Sequence, residues 1–382
     1  MKILLFGGSF SPVHSEHVRI AKEAQKALQA EKLIVIPAAV SPFKTKADLP
    51  VENCSQVLPS DADRLAMLRL AFADFSHTEI SDYEICCGGT SYSYTTCAHF
   101  RSLYPKDELY FLIGSDSFYS FPQWKYPERI VNDVRLAVIR RSEENLDERS
   151  LQAFAERFHT LPTCIDFSTT GISSTQVRTL LSLGADASGL LPKAVQDYIL
   201  QRGLYRIDLL VQALALEKEN RRAHSVRVAV TATEHAKRFR ISPQKALVAA
   251  GLHDCAKNLA LDDKKLFGFI PPEGVPESVM HQYSGAYLAE KFGIRDTDIL
   301  NAVRYHTSGR PDMSDLEKLI YLADMTEAGR HYPGVDEIRA AFDRDLNEAM
   351  RIALQRTLAF LRETGSSIYP LSLQAYEYYK ND

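Results

Sequence analysis

Two histidines three residues apart, His14 and His17, stand in the stretch GGSFSPVHSEH, directly after the apolar run Ile3 to Phe6. Glycines after a buried strand let the backbone approach a ligand closely, and residues three apart share a face where a helix begins. Gly7, Gly8, Ser9 and the two imidazoles are therefore candidates for holding an anion. A second stretch, GISSTQVR from Gly171 to Arg178, follows the strand-like CIDFST and opens the amphipathic segment STQVRTLLSLG. A helix start offers free N–H groups; Ile172, Ser173, Ser174 and Thr175 sit at that start, and Arg178 lies within one turn of it, so hydroxyls, dipole and charge can converge on a polyphosphate. The plain alternatives are a glycine turn with two surface histidines and an ordinary Ser/Thr cap, which explains one hydroxyl but not the cluster.

A different chemistry is spaced through the latter half, where His224, His253, Asp254, His281, His306 and Asp324 each fall at a helical segment. Taken singly, a histidine on an amphipathic helix is more often a hydrogen-bonded core or rim residue than a ligand, and His235 reads as a surface residue. His253 and Asp254 change the balance, because adjacent helical residues about 100° apart can point into one cavity. Four imidazoles with two carboxylates suit divalent transition metals, and a bridging carboxylate would admit two ions.

The elements that must position these groups divide the chain. Up to about residue 205, short β-rich runs (KILLFGG, KLIVIPA, ELYFLIGSD, RLAVIRR) alternate with amphipathic stretches such as DRLAMLRLAFADF and SLQAFAERF, the signature of βα units on a parallel sheet. From Ile207 onward the strand-like runs vanish and helical patterns take over (RVAVTATEHAKRF, QKALVAAGLHDCAK, DLEKLIYLADMTEAG). An α/β domain over 1–205 and an all-α domain over 206–382 are expected, with neither a low-complexity linker nor an internal repeat. The 45 basic and 49 acidic side chains nearly cancel, which argues against a chain that coats nucleic acid or an anionic membrane. Six cysteines in no zinc-like pairing, with neither a signal peptide nor a spanning segment, point to a reducing cytoplasm.

The first half resembles the nucleotidylyltransferases with an HxGH signature and a distal ISSTxxR, and within them the nicotinate mononucleotide adenylyltransferases. GGSFSPVHSEH is similar to that family's GGxFDPxHxGH, SPFK (ending in Lys44) to its PPHK, GTSYSYTT to its SYTxDT, FLIGSDSFYSFPQW to its GxDSL with a following Trp, and LPKAVQDYILQRGLY to its closing helix. The resemblance implies a Rossmann-like fold and attack by the phosphate of nicotinate mononucleotide on the α-phosphorus of ATP, with Mg²⁺ arriving on ATP. It implies that His14, His17 and Lys44 contact the ATP phosphates, that Ser173, Thr175 and Arg178 hold the β and γ phosphates, and that Asp116 faces the ribose. Trp124 would stack on the pyridine ring, with Tyr92 and Ser93 near its carboxylate. Departures from the pattern are Ser11 for Asp, Glu16 for the Gly of HxGH, Phe43 for His, and Ser93 and Thr95 for Thr and Asp. Of these, Glu16 carries the sharpest expectation, since a carboxylate between the two histidines could repel phosphate or crowd the backbone.

The second half resembles the HD-domain phosphohydrolases, specifically the bacterial group that cleaves diadenosine tetraphosphate symmetrically into two ADP. The likeness runs through RRAHS, AGLHDCAK, MHQYSGAYLA, YHTSGRPDMSDLEKLIYLAD and GRHYPGVDEIR. It implies that His224, His253, Asp254 and Asp324 bind one metal, and that His281 and His306 bind a second that shares Asp254, with iron, manganese or cobalt as the ions. Lys257, Arg310 and Arg330 are candidates for neutralising the polyphosphate, with a solvated surface role as the equal alternative. Two other readings stay open: hydrolysis of another nucleotide or an alarmone by the second half, and a non-catalytic nucleotide-sensing role for one half.

Overall fold

The computed structural model describes residues 1–40, 51, 52, 54–141 and 146–381. Lys44 and Phe43 lie outside the described residues. The chain forms two compact units. One comprises residues 1–40, 58–177 and 187–204 among those described; the other comprises 205–381 with 178–186 and the described residues between 51 and 57. The two short segments join the second unit because their apolar side chains do: Cys54 and Leu183 are buried in its hydrophobic core with Ile207, Leu210 and Val228.

In the first unit, six parallel strands stand in the order β3-β2-β1-β4-β5-β6, with β1 Lys2–Gly8, β2 Lys32–Pro37, β3 Thr78–Ile80, β4 Glu108–Gly114, β5 Arg135–Arg141 and β6 Thr163–Phe167. Ile3, Leu4, Leu5 and the run Leu33 to Ile36 are fully buried, as expected of strands covered by helices on both faces. β1 lies between β2 and β4, so chain connections leave it in opposite directions. In such a doubly wound sheet the crevice at this switch, beyond the carboxyl ends of the strands, is where ligands bind. Gly7 and Gly8 end β1 at that crevice. At Gly8 a side chain is excluded by packing: a Cβ there would stand 3.0 Å from the ring of Phe10. Phe10 is itself buried at a left-handed φ of 43°, and its ring meets that of His17 edge-on at 5.0 Å.

The second unit is helical among its described residues. Five helices matter for chemistry: Glu219–Ala236, Pro243–Leu252, Glu277–Lys291, Thr297–Tyr305 and Asp315–Thr326. Pro243–Leu252 is the central one, with Ala246 through Leu252 all buried. A Cβ on Gly251 would meet Leu210 at 3.1 Å and Leu183 at 3.2 Å, so even alanine is crowded where this helix ends.

Candidate functional site

The helix Ser15–Leu28 begins right after the glycines, with His14 as its extended N-cap. His17 Nδ1 accepts a hydrogen bond from the His14 backbone N–H at 3.2 Å, and the two rings lie 3.7 Å apart. Burial, with His14 adding to it, pushes the His17 imidazole well below its ordinary pKa. A neutral ring that accepts at Nδ1 must carry its proton on Nε2, so His17 is a fixed donor.

Both histidines line a cavity of about 1060 Å³ that opens at the β1–β4 switch. Its lining includes Gly7, Gly8 and Ser9 at the end of β1, Gly114 at the end of β4 with Asp116 beyond it, Tyr92, Ser93 and Trp124, and Ile172 and Ser174. Ser91 accepts the Ala39 N–H at 2.9 Å and donates its own N–H to the Val40 carbonyl, which ties the Tyr92 segment to the chain leaving β2. Arg64, which the sequence did not mark, donates to the carbonyls of Ser9 (3.1 Å) and Ala38 (2.6 Å) and so pins the loops after β1 and β2. Ser173 and Thr175 are not among the lining residues; Ser173 Oγ caps its helix by accepting the Gln176 N–H at 3.0 Å. Arg178 belongs to the second compact unit.

Glu16 lines the same cavity, and its carboxylate is held by specific partners. The carboxylate is buried; Oε1 accepts from the Thr169 hydroxyl at 2.5 Å and the Thr170 N–H at 2.8 Å, while Oε2 accepts from the Thr170 hydroxyl at 2.8 Å and Arg19 at 2.7 Å. Burial raises its pKa, but these donors outweigh burial and hold it below the ordinary value. Its charge is thus committed to the segment that precedes the Ile172–Thr175 helix start, and Glu16 joins the two anion-binding stretches of sequence.

In the second unit, the four histidines and two aspartates converge. His253 and His306 each donate Nδ1–H to the carbonyl three residues back, Ala250 at 2.7 Å and Val303 at 2.8 Å. A carbonyl only accepts, so Nδ1 carries a proton in both rings, and their Nε2 atoms turn to the centre. Asp254 Oδ1 lies 3.3 Å from His281 Nε2 and 3.4 Å from His306 Nε2, and Oδ2 lies 3.6 Å from His253 Nε2. His224 Nε2 lies 2.9 Å from Asp324 Oδ1. Two groups have ligand atoms close enough to share an ion: His224, His253 and Asp324; and His253, Asp254 and His306. His253 is common to both, whereas His281 joins through Asp254 and through His306 Nε2 at 3.2 Å. His253 Nε2 is buried without a hydrogen-bond partner, which is the state of a ligand atom built for a cation. Burial holds His253 near a pKa of about 4 and His281 near about 2, neutral and able to ligate.

Residues beyond the four histidines and two aspartates hold the cluster in place. Glu327 accepts from Arg227 and from the Gly329 N–H and meets His224 Nδ1 at 3.0 Å, orienting that ring. Arg221 pairs with Asp254 Oδ2 at 3.0 Å, and Arg330 with Asp324 Oδ1 at 2.5 Å. Lys257 Nζ stands 3.0 Å from His281. The Arg310 guanidinium pairs with the buried Glu317 at 2.8 and 2.7 Å. His235 stacks on Phe342, away from the cluster.

Replacing Glu16 by Ala removes a buried carboxylate that accepts four hydrogen bonds, and should cost about 1.5–3 kcal/mol of stability in the α/β unit at neutral pH, the scale of hydrogen bonds to a charged group. Because the folded-state pKa is depressed, this contribution is complete above the ordinary carboxyl value of 4.5 and fades as pH falls through the lower folded value. Denaturant titrations of wild type and Glu16→Ala at neutral pH and below about pH 4 should show a gap that closes in acid; a gap that persists unchanged would assign the cost to packing.

Comparison with known proteins agrees with this division. The Cytidylyltransferase-like family matches residues 5–180 and the HD domain family matches residues 221–329. An HD domain depends on a divalent metal, and the His/Asp cluster is its candidate site. The "Probable nicotinate-nucleotide adenylyltransferase" of Endomicrobium trichonymphae is 39% identical over 54% of this chain and 99% of its own. The "Bis(5'-nucleosyl)-tetraphosphatase, symmetrical" of Bacillus subtilis is 40% identical over 44% of this chain and 95% of its own. One relative spans both halves, the "Probable nicotinate-nucleotide adenylyltransferase/Ap4A hydrolase" of Mycoplasma genitalium, 31% identical over 86% of this chain and 88% of that protein. With its α/β cavity and its helical His/Asp cluster on one polypeptide, the chain belongs to the family of joined nicotinate-nucleotide adenylyltransferase/Ap4A hydrolase proteins.

Proposed function

We propose that the chain is a bifunctional enzyme: it transfers the adenylyl group of ATP to nicotinate mononucleotide, giving deamido-NAD and pyrophosphate, and it hydrolyses diadenosine tetraphosphate symmetrically to two ADP. The observation that carries this reading is that each compact unit holds a chemical arrangement of its own, a cavity with fixed donors at a sheet switch point in one and a buried His/Asp cluster in the other.

In the α/β unit, a phosphate oxygen of the mononucleotide attacks the α-phosphorus of ATP in line with the departing pyrophosphate, and no covalent enzyme intermediate is needed. Catalysis then consists of positioning and of donors aimed where charge grows. His17, neutral and protonated on Nε2, donates to the phosphate chain beside His14, at the N-terminus of their helix. Mg²⁺ enters with ATP. Trp124 and Tyr92, at the far end of the cavity, receive the pyridine ring, and Asp116 meets the ribose.

In the helical unit, His224, His253, Asp254, His281, His306 and Asp324 would hold divalent cations, which would supply Lewis-acid activation of water and of the phosphate. Asp254 has its two oxygens directed at different imidazoles and would serve both ions. The side chain of Lys257 sits at the edge of the cluster, where a polyphosphate would arrive, and Arg330 holds Asp324 in place. Iron, manganese and cobalt suit this mixed imidazole and carboxylate set.

His17→Ala should reduce adenylyl transfer by about 10²-fold or more, the scale of removing one donor to a developing charge, and leave diadenosine tetraphosphate hydrolysis intact. Near-normal transfer in a folded variant would refute the assignment. Asp254→Ala should abolish hydrolysis and lower metal content measured by elemental analysis, whereas His281→Ala should mainly weaken one ion. ADP as the sole nucleotide product supports the symmetrical reaction, and a mixture of AMP and ATP overturns it. The acid mononucleotide should show a higher kcat/KM than the amide.

A further inference from the structure

The ammonium of Lys125 is held by aromatic rings and not by a carboxylate. Its Nζ lies 4.3 Å from the centre of the Tyr92 ring, 5.8 Å from that of Tyr126 and 5.9 Å from that of Tyr94, and the last two rings meet edge-on at 4.9 Å. No ion pair joins it to a carboxylate of the described residues. The distinction matters electrically. A salt bridge cancels a charge, whereas the quadrupoles of three tyrosines steady an ammonium and leave its net charge available to a ligand.

That charge stands at the end of the cavity walled by Tyr92, Ser93 and Trp124. Among the described residues lining the cavity, Lys125 is the sole lysine or arginine, against the carboxylates of Glu16, Glu84 and Asp116. Glu16 is committed to Thr169, Thr170 and Arg19, and Glu84 accepts from the Thr96 hydroxyl at 2.5 Å. An anionic group entering this end therefore finds its fixed positive charge in one place.

We infer that Lys125 is the specificity-determining residue that makes this subsite prefer a pyridine bearing a carboxylate over one bearing a carboxamide. The inference rests on the adenylyltransferase reading above. The two rings have nearly the same shape, so apolar contact with Trp124 cannot separate them, and discrimination must come from the one property that differs, a full negative charge. Only an interaction present for one ligand and absent for the other contributes, which is what an unpaired ammonium supplies. Because Lys125 is open to solvent on one side, screening limits the effect to about tenfold.

The test is kcat/KM for the acid and amide mononucleotides, with ATP, in wild type, Lys125→Met and Lys125→Arg. In wild type the acid should be preferred, and the preference should shrink as salt rises. Lys125→Met should lower kcat/KM for the acid about tenfold, through KM, and leave the amide unchanged, so the amide rate reports that the variant is folded. Lys125→Arg should keep the preference. An acid-to-amide ratio unchanged in Lys125→Met, or an amide preference in wild type, overturns the inference while the transferase reading stands. Transfer to neither mononucleotide by wild type overturns both.

Discussion

A carboxylate removed from water must be surrounded by donors or cations, and the chemistry of this chain is organised around two such groups. Asp254 is only 2% exposed. Its partners come from separate helices: Arg221 from Glu219–Ala236, His281 from Glu277–Lys291, and His306 from the end of Thr297–Tyr305. Burying such a charge is costly unless the geometry around it is closely set, so packing of the helices and assembly of the cluster are one event. Glu16 imposes the same requirement on the α/β unit. Its four acceptor bonds draw the start of one helix to the loop that follows β6.

Orientation of the imidazoles is solved locally, by the helices that carry them. His253 and His306 both stand where a helix ends and carbonyls lack partners, and both use the carbonyl three residues back to fix their tautomer. His224 instead takes a carboxylate, Glu327, which Arg227 and a backbone N–H keep ionised against the cost of burial. His17 is set in a third way, by accepting a backbone N–H and leaning on the ring of Phe10. In each case the nitrogen facing the site is specified by what the other nitrogen does. Lys125 follows a different logic, in which aromatic faces hold a cation without consuming it.

Much of the architecture was legible in the residues. The apolar runs around Leu4, Val35, Phe111 and Val138 are long enough to announce buried parallel strands, and the change to helical periodicity after Ile207 separates sheet from bundle. Strand β3 was not legible, because Thr78–Ile80 is three residues with no alternation to detect and exists by pairing with β2. Arg64, Arg221, Glu327 and Lys125 carried no signal either. Each is an ordinary charged residue until its partner, up to about a hundred positions distant, is brought beside it. The anion-binding reading of GISSTQVR is realised unevenly, with Ile172 and Ser174 at the cavity, Ser173 turned to capping its own helix, and Arg178 in the other unit.

The sequence by itself determined which chemistry the chain can do, because residue types, their order and short spacings are local properties: two histidines on a nascent helix after a glycine turn, and imidazoles next to carboxylates at helix ends. Only the tertiary structure decided the sign of Glu16 and the availability of Lys125 and Arg310. A charge acts according to what lies within a few ångströms of it. Thr169 and Thr170, some 150 residues from Glu16, make its carboxylate a joint; Glu317 pairs with Arg310; and three tyrosines leave Lys125 free to act. Coulomb interactions and desolvation depend on distance through space, and distance along the chain does not report it.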